Sequence, residues 1–201
     1  MSKELPYTSS IKDMPLMFLE MRRTALLLCE GMSPGEIIFM SMDKNIYQLE
    51  KEKRRRDVPL RMINRLLTIS SPLVEILAKG STDDAKLVAL LALVKSDRLL
   101  FEYLYEVFLS KHEIGYDTIS DRDFEEFTNR KAQDNNTIAN WSSGNLKSLR
   151  GKIKGILCDA GIAKRAKEGL RIQRPLASAN LLNLLDEEDS IYARAMLLTG
   201  V

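Results

Sequence analysis

Apolar side chains recur every three or four residues along most of this chain, and this spacing predicts amphipathic helices. The first apolar stripe occupies residues 15–30 and is followed by Gly31, a residue type that often ends helices. The stretch Ser33-Pro34-Gly35-Glu36 has the composition of a capping box and predicts the start of a second helix. Strand-favouring runs of β-branched and aromatic residues are almost absent. The pattern therefore predicts an all-α, mostly helical fold.

Two stretches interrupt the helical pattern in the first half of the chain. Residues 1–13 are predicted to be a polar arm with little apolar surface to bury. Residues 51–57, with the sequence KEKRRRD, are predicted to form a charged link that ends before Pro59. The helix that follows this link is expected to direct Arg61 and Arg65 towards solvent.

The stretch Gly115-Tyr116-Asp117-Thr118 predicts a boundary between two domains. Residues 1–115 then form an N-terminal helical bundle, and residues 116–201 form a second domain with a helical tail. The second domain has a predicted helix, a polar turn, a basic helix and an extended basic stretch, at residues 120–132, 133–140, 143–159 and 170–175. This order is that of a winged helix-turn-helix, in which the extended stretch is an edge strand or wing arm.

Positive charge is concentrated in the basic helix and the wing. Residues 144–174 hold nine Lys and Arg against two acids, a local balance of +7, whereas the whole chain carries +2. In the helix, Lys147, Arg150 and Lys154 lie three and four residues apart and therefore share a face. Such a local excess predicts an anionic partner, and double-stranded DNA is the first candidate.

The expected DNA contacts fall into three groups. They are Ser143, Lys147, Arg150 and Lys154 on the helix, Arg171 and Arg174 on the wing, and Arg54, Arg55, Arg56, Arg61 and Arg65 in a second basic cluster. Aromatic residues make up 6% of the chain, too few to predict a platform for stacking single-stranded bases. Contact with the phosphate backbone of a duplex is therefore favoured.

Two glycines in the basic helix leave an alternative open. Gly151 and Gly155 each cost about 1 kcal/mol relative to alanine inside a helix. Close approach of a phosphate chain and close packing of another helix explain them equally well.

Catalytic and metal-binding chemistry is not predicted. His112 is the only histidine, and the two cysteines, Cys29 and Cys158, are far apart in the sequence. We expect both cysteines to be buried apolar side chains in a protein of the reducing cytoplasm. These residues offer no catalytic triad, no zinc site and no cofactor site. The longest apolar run, residues 87–94, is also much shorter than the about 20 residues that a bilayer-spanning helix needs, so no membrane crossing is expected.

Several stretches together resemble a known family. They are Met17–Gly31, Asn64-Arg65-Leu66, Trp141-Ser142, residues 156–162 (ILCDAGI) and the tail that begins at Pro175. In their order and in the chain length, they resemble the BrxA family, the small helical proteins of BREX bacteriophage-defence systems.

The resemblance implies two helical lobes, the first similar to a NusB-type bundle and the second to a winged helix. It also implies DNA binding without known catalysis, in a system that methylates host DNA and blocks phage replication. The other components, a methyltransferase, an ATPase and a phosphatase-like protein, are then the expected protein partners.

The sequence thus predicts a non-enzymatic, cytoplasmic, double-stranded DNA-binding component of a BREX system. Two alternatives remain open at this point. One is a protein–protein adaptor in the same assembly, whose basic surfaces dock acidic partners. The other is an RNA-binding factor, by analogy with the NusB-like lobe.

Overall fold

The computed structural model describes residues 5–185 and 187–198, which form helices and one small sheet. The helices of the first half are α1 (Phe18–Cys29), α2 (Pro34–Lys44), α3 (Glu52–Leu66), α4 (Ser71–Lys79), α5 (Thr82–Ser96), α6 (Arg98–Tyr103) and α7 (Ser110–Glu113). The second half has α8 (Asp121–Asp134), α9 (Asn136–Ala139), α10 (Ser143–Asp159), α11 (Ala179–Leu184) and α12 (Glu187–Ala195), with strands β1 (Thr118–Ser120), β2 (Ala163–Ala166) and β3 (Gly169–Ile172). The mostly helical fold class is confirmed.

Helix α5 lies at the centre of the first half. All of its residues from Leu87 to Val94 are buried, and a helix that is apolar all round belongs inside a core. Helices α1, α3, α4 and α6 pack against it. The capping box predicted at Ser33 is present, because the Ser33 hydroxyl accepts from the Glu36 amide and the Glu36 carboxylate accepts from the Ser33 amide.

The predicted link at residues 51–57 is wrong, because helix α3 begins at Glu52 and continues through Pro59. Proline has no amide hydrogen to donate to the carbonyl of Arg55, four residues earlier. The buried Ser41 of α2 replaces that donor, since its hydroxyl lies 2.5 Å from the Arg55 carbonyl oxygen. Helix α3 therefore tolerates an internal proline, and its charged first half consists largely of good helix formers.

Arg65 is buried instead of facing solvent, so the expectation for this residue is also wrong. Its side chain is 2% exposed and donates to the backbone carbonyls of Met14 and Pro15, at 2.7 Å from the latter. Burial lowers the pKa of the Arg65 guanidinium to about 10, so it stays charged at neutral pH. A backbone carbonyl that is shielded from water needs a hydrogen-bond donor, and Arg65 donates one hydrogen bond to each of these two carbonyls.

Residues 5–17 form a segment that we call the N-terminal strap. Tyr7, Ile11 and Leu16 are buried in the core, so the described part of the predicted polar arm does bury apolar surface. A short 3-10 turn at Ser10–Lys12 packs against α10, where the Lys12 amine donates to the Asn145 side chain. The strap therefore connects both halves of the chain.

The carboxylate of Glu102 joins the strap to α6 and α8. It accepts from the Tyr7 hydroxyl at 2.7 Å, from Arg98 Nε at 2.9 Å and from Lys131 Nζ at 2.6 Å. Burial alone would raise the pKa of Glu102, but the hydrogen bonds from Lys131, Tyr7 and Arg98 outweigh it and hold that pKa below its ordinary value. Glu102 is 4% exposed, and its partners satisfy the buried charge.

The second half contains an antiparallel sheet with the strand order β1-β3-β2. The stretch predicted as an edge strand is thus the central strand β3, and the predicted polar turn at 133–140 contains α9. Gly169 starts β3 with a φ of +147°, and a Cβ atom there would lie 2.0 Å from the Ile119 carbonyl oxygen. Residues of both halves share one hydrophobic core, and the boundary at residues 115 and 116 stays a prediction.

The first prediction concerns the proline in α3. Ser41→Ala leaves the half-buried Arg55 carbonyl without this donor, and we expect the free energy of unfolding to fall by about 1–2 kcal/mol. Chemical denaturation of this variant measures the loss, with Ser148→Ala on the exposed face of α10 as the control. In a Pro59→Ala background the backbone regains its own donor, so Ser41→Ala should cost less. An equal cost in both backgrounds would contradict the role assigned to Ser41.

The second prediction concerns the buried carboxylate. Because the pKa of Glu102 is lowered on folding, its stabilising contribution is complete above the unfolded value of about 4.3 and is lost as the pH falls through the folded value. Glu102→Gln should lower stability at pH 7 by about 3 kcal/mol and flatten the loss of stability that the parent shows as the pH falls from 7 through about 4.3 and below. Urea unfolding across this pH range tests both effects. A parallel downward displacement of the whole curve would show that the charge of Glu102 does not matter.

Candidate nucleic-acid interface

Helix α10 is the basic helix that the sequence predicts, and it starts where Ser142 caps it. The Ser142 hydroxyl accepts from the Asn145 amide at 3.2 Å, so Ser142 is the cap and Ser143 is an exposed first-turn residue. Leu149, Ile153, Ile156 and Leu157 are buried, as their spacing predicts. The opposite face of α10 is therefore open to a partner.

That open face has positive charge at its margins and little side-chain bulk at its centre. Lys147 and Lys152 are exposed on the two sides of a stripe that contains Ser148, Gly151 and Gly155. A Cβ atom built on either glycine meets no atom within 4 Å in the described part of the chain. Packing of another helix of this chain therefore does not explain Gly151 and Gly155.

Arg150 and Lys154 are less exposed than Lys147, because acids of α8 bind them. Arg150 lies 2.5 Å from Glu125 and 3.4 Å from Asp121, and Lys154 pairs with Asp121. The side chains of Arg150 and Lys154 are only 17% and 18% exposed. The two acids belong to α8, so these ion pairs fasten α10 to the preceding long helix.

The hairpin formed by β2 and β3 adds a second group of exposed cations. Lys164 and Arg171 are directly opposite each other in the antiparallel register, and both are exposed. Like charges in such a cross-strand pair destabilise a sheet. Asp117 lies 3.5 Å from Arg171 and offsets part of that repulsion, but both partners are well exposed. An anionic ligand would offset more of it.

The hairpin and α10 meet at a depression of about 430 Å³. Lys154 of α10 lines it together with Arg165 and Lys167 of the hairpin, and Asp121 at the start of α8 completes one side. A second depression of about 400 Å³ lies between α8 and α10, where Lys147 and Arg150 line it with Glu125. Both depressions combine exposed cations with one of the ion pairs described above. The structure thus brings the helix and hairpin cations together.

The second basic cluster is split by the structure. Arg56 and Arg61 are exposed, whereas Arg54 and Arg55 are half-buried and Arg65 is buried. Arg55 donates to the Leu49 carbonyl at 3.0 Å, and Arg54 lies 3.5 Å from the Asp13 carbonyl. Since the neighbouring strap residue Lys12 contacts α10, the strap brings the start of α3 close to the start of α10.

Sequence reasoning did not single out four exposed cations of this surface. They are Lys152, Lys164, Arg165 and Lys167. They contribute to the local charge excess, which is the only signal that could have identified them. Strand β2 has the sequence AKRA, which shows no strand preference, so the hairpin that presents three of them was not predicted.

The described residues also bear on metal binding, membrane insertion and the two cysteines. They contain no cluster of three His, Cys, Asp or Glu side chains that could hold a metal ion. Within residues 5–185 and 187–198, no helix is both long and apolar enough to span a membrane. Cys29 is exposed, against expectation, because it lies at the outer side of the last turn of α1. Burial raises the pKa of the half-buried Cys158 thiol.

Comparison with known proteins identifies the family. A sequence model of the BrxA family matches residues 5–189. The BREX protein BrxA of Bacillus cereus (strain H3081.97) is 32% identical over 182 residues, which cover 90% of this chain and 91% of that protein.

A solved structure has the same fold. The crystal structure of an uncharacterized protein from Magnetospirillum magneticum superposes with a TM-score of 0.80 at 20% identity, covering 96% of this chain and 99% of that one. At this identity the likeness concerns the fold alone. With the family match over nearly the whole described length and the relative from Bacillus cereus, it follows that the chain belongs to the BrxA family.

Proposed function

We propose that this chain is a non-enzymatic, double-stranded DNA-binding component of a BREX phage-defence system, and that it contacts mainly the phosphate backbone. The observation that carries the proposal is a group of exposed cations on α10 and the hairpin: Lys147, Lys152, Lys164, Arg165, Lys167, Arg171 and Arg174. Apart from Arg171, none of them forms an ion pair with a described residue. A surface with this much uncompensated charge gains free energy when it releases the counterions of DNA.

The connectivity of the second half supports this proposal. Helix α8, the short α9 and helix α10 lie between β1 and the hairpin, and the sheet order is β1-β3-β2. This arrangement is what a winged helix-turn-helix requires, with α10 as the recognition helix and residues 166–169 as the tip of the wing. We accordingly propose a winged-helix domain over residues 116–201 and a NusB-like bundle over residues 1–115.

The open face of α10 supports backbone contacts over base recognition. Sequence-specific contacts in the major groove usually use Arg, Lys, Asn or Gln side chains that reach base edges. The centre of this face instead has Gly144, Ser148, Gly151 and Gly155, with lysines at its margins. A duplex can therefore approach the helix backbone closely while Lys147 and Lys152 contact phosphates, and we expect little sequence preference.

Membership of the BrxA family supports the proposal that the chain acts as part of a BREX system. The relative from Bacillus cereus is described as a BREX protein. We propose that this chain works in the cytoplasm with the other BREX components, a methyltransferase, an ATPase and a phosphatase-like protein.

An adaptor in the same assembly is the second candidate function. A mostly apolar groove of about 650 Å³ runs along α1, where Leu19 is 75% exposed and Leu26 is 37% exposed. Exposed leucines in a groove are typical of protein docking. A partner complex that resists salt, from a chain with no affinity for nucleic acid, would favour this adaptor.

The third prediction tests the DNA surface. Replacing Lys147, Lys152, Lys164 and Arg171 by Glu should weaken binding of a labelled 20-base-pair duplex at least about tenfold and make its salt dependence shallower. Fluorescence anisotropy across a salt series measures both quantities, with RNA duplexes and single strands in parallel. Lys44→Glu with Lys79→Glu, which changes exposed lysines of α2 and α4, is the control. Unchanged duplex binding by the fourfold variant would overturn the proposal, and preference for RNA would favour the RNA-binding alternative.

Arg150 and Lys154 are deliberately left out of that variant. A glutamate at position 150 would lie against Asp121 and Glu125, and one at position 154 would lie against Asp121, so the variant would lose the attachment of α10 to α8. A loss of DNA binding could then reflect a loss of structure. The four chosen side chains are all exposed, and a thermal melt should leave the variant within a few degrees of the parent.

The fourth prediction tests the second basic cluster. Arg56→Glu with Arg61→Glu changes the two members that are exposed and spares the half-buried and buried arginines. If this cluster contacts the same duplex, the slope of log affinity against log salt should fall by about one to two units. An unchanged slope would remove α3 from the interface and leave the α10 and hairpin surface as the whole site.

A further inference from the structure

We propose that Asp121 and Glu125 of α8 act as built-in competitors of DNA phosphates, and so limit the affinity of the interface. Their carboxylates bind Arg150 and Lys154 in the free protein, and a phosphate must share or displace them to reach these cations. This inference rests on the proposed DNA-binding function, and it adds two residues that would set how tightly the protein binds DNA.

The unequal exposure of the partners supports this role. Arg150 and Lys154 are 17% and 18% exposed, whereas Asp121 and Glu125 are 45% and 62% exposed. The negative ends of these ion pairs therefore lie nearer to solvent than the positive ends. A DNA strand that approaches from solvent meets the carboxylates first and is repelled by them.

The two depressions place each ion pair next to an exposed cation that has no such partner. Glu125 and Arg150 line the depression that also contains Lys147. Asp121 and Lys154 line the one that also contains Arg165 and Lys167. A phosphate held by the exposed cations of either depression thus comes within reach of a cation that α8 already holds.

The exchange is chemically plausible because a phosphate offers the same kind of acceptor as a carboxylate. Arg150 has five N–H donors, and charge-assisted bonds from a guanidinium to either anion are similar in geometry and strength. Exchange of one anion for the other therefore costs little by itself, and the remaining repulsion between the phosphate and the α8 carboxylates decides the affinity. Removing a carboxylate charge should then strengthen DNA binding.

The fifth prediction uses Glu125→Gln, which keeps the size and the acceptor oxygen but removes the charge. Anisotropy with a labelled 20-base-pair duplex at about 100 mM salt should show binding about three to tenfold tighter than in the parent, with a salt slope steeper by about one. Glu75→Gln on α4 is the matched control, since Glu75 is 66% exposed and also forms an ion pair, with Lys79. The control should change affinity by less than about twofold.

A double-variant cycle separates competition from a general change in net charge. If Glu125 acts through Arg150, the gain from Glu125→Gln should largely vanish in an Arg150→Gln background. A purely structural contact predicts a different result, in which Glu125→Gln lowers the melting temperature and leaves duplex affinity unchanged. Asp121→Asn provides a second test, through Lys154 and Arg150 together, with the same expected direction.

The outcomes distinguish the two proposals. Tight duplex binding by the parent, with equal effects of Glu125→Gln and Glu75→Gln, would overturn the competitor role and leave DNA binding intact. A gain that persists in the Arg150→Gln background would overturn it as well. Absence of duplex binding by the parent at low salt would overturn the proposed function, and the competitor role with it.

Discussion

The buried carboxylate of Glu102 determines how the main parts of this protein are arranged. A charge at this depth is tolerated only with partners, and these come from three places: Tyr7 of the strap, Arg98 of the same helix and Lys131 of α8. Because all three must reach one side chain, the strap, α6 and α8 are fixed relative to one another. Helix α10 is in turn fastened to α8 by ion pairs. Electrostatic contacts therefore run from the core to the outer surface of α10.

Regular helices and their caps were predictable from the sequence, whereas the buried polar contacts were not. The box at Ser33 and the cap at Ser142 depend on residues within three positions, so a local pattern identifies them. Arg65 binds carbonyls 50 and 51 residues away, and no local pattern distinguishes it from an exposed arginine. Ser41 supports Pro59 in the same non-local way. Short strands such as β2 also depend on pairing and not on propensity.

The candidate site shows the same division between local and distant information. The charge excess in residues 144–174 was predictable, and it drew attention to the segment that forms α10 and the hairpin. Which cations remain available to a partner was not predictable, because Glu125 and Asp121 lie 25 and 33 residues before the cations that they bind. Cations in α10 therefore divide into those that hold the helix in place and those that remain exposed, and helical spacing alone cannot separate the two.

Helices α6 and α7 are joined without a break by a π-helical turn at Leu104–Leu109. A π turn accommodates one residue more than the α-helix around it, and one residue corresponds to about 100° of rotation. On one side of this turn Phe101 packs against Tyr192, and on the other Lys111 pairs with Asp123 of α8. The number of residues in this segment thus sets the rotation of Lys111 relative to Phe101 about the helix axis. A one-residue deletion there would preserve a helix and still turn Lys111 away from Asp123 by about 100°.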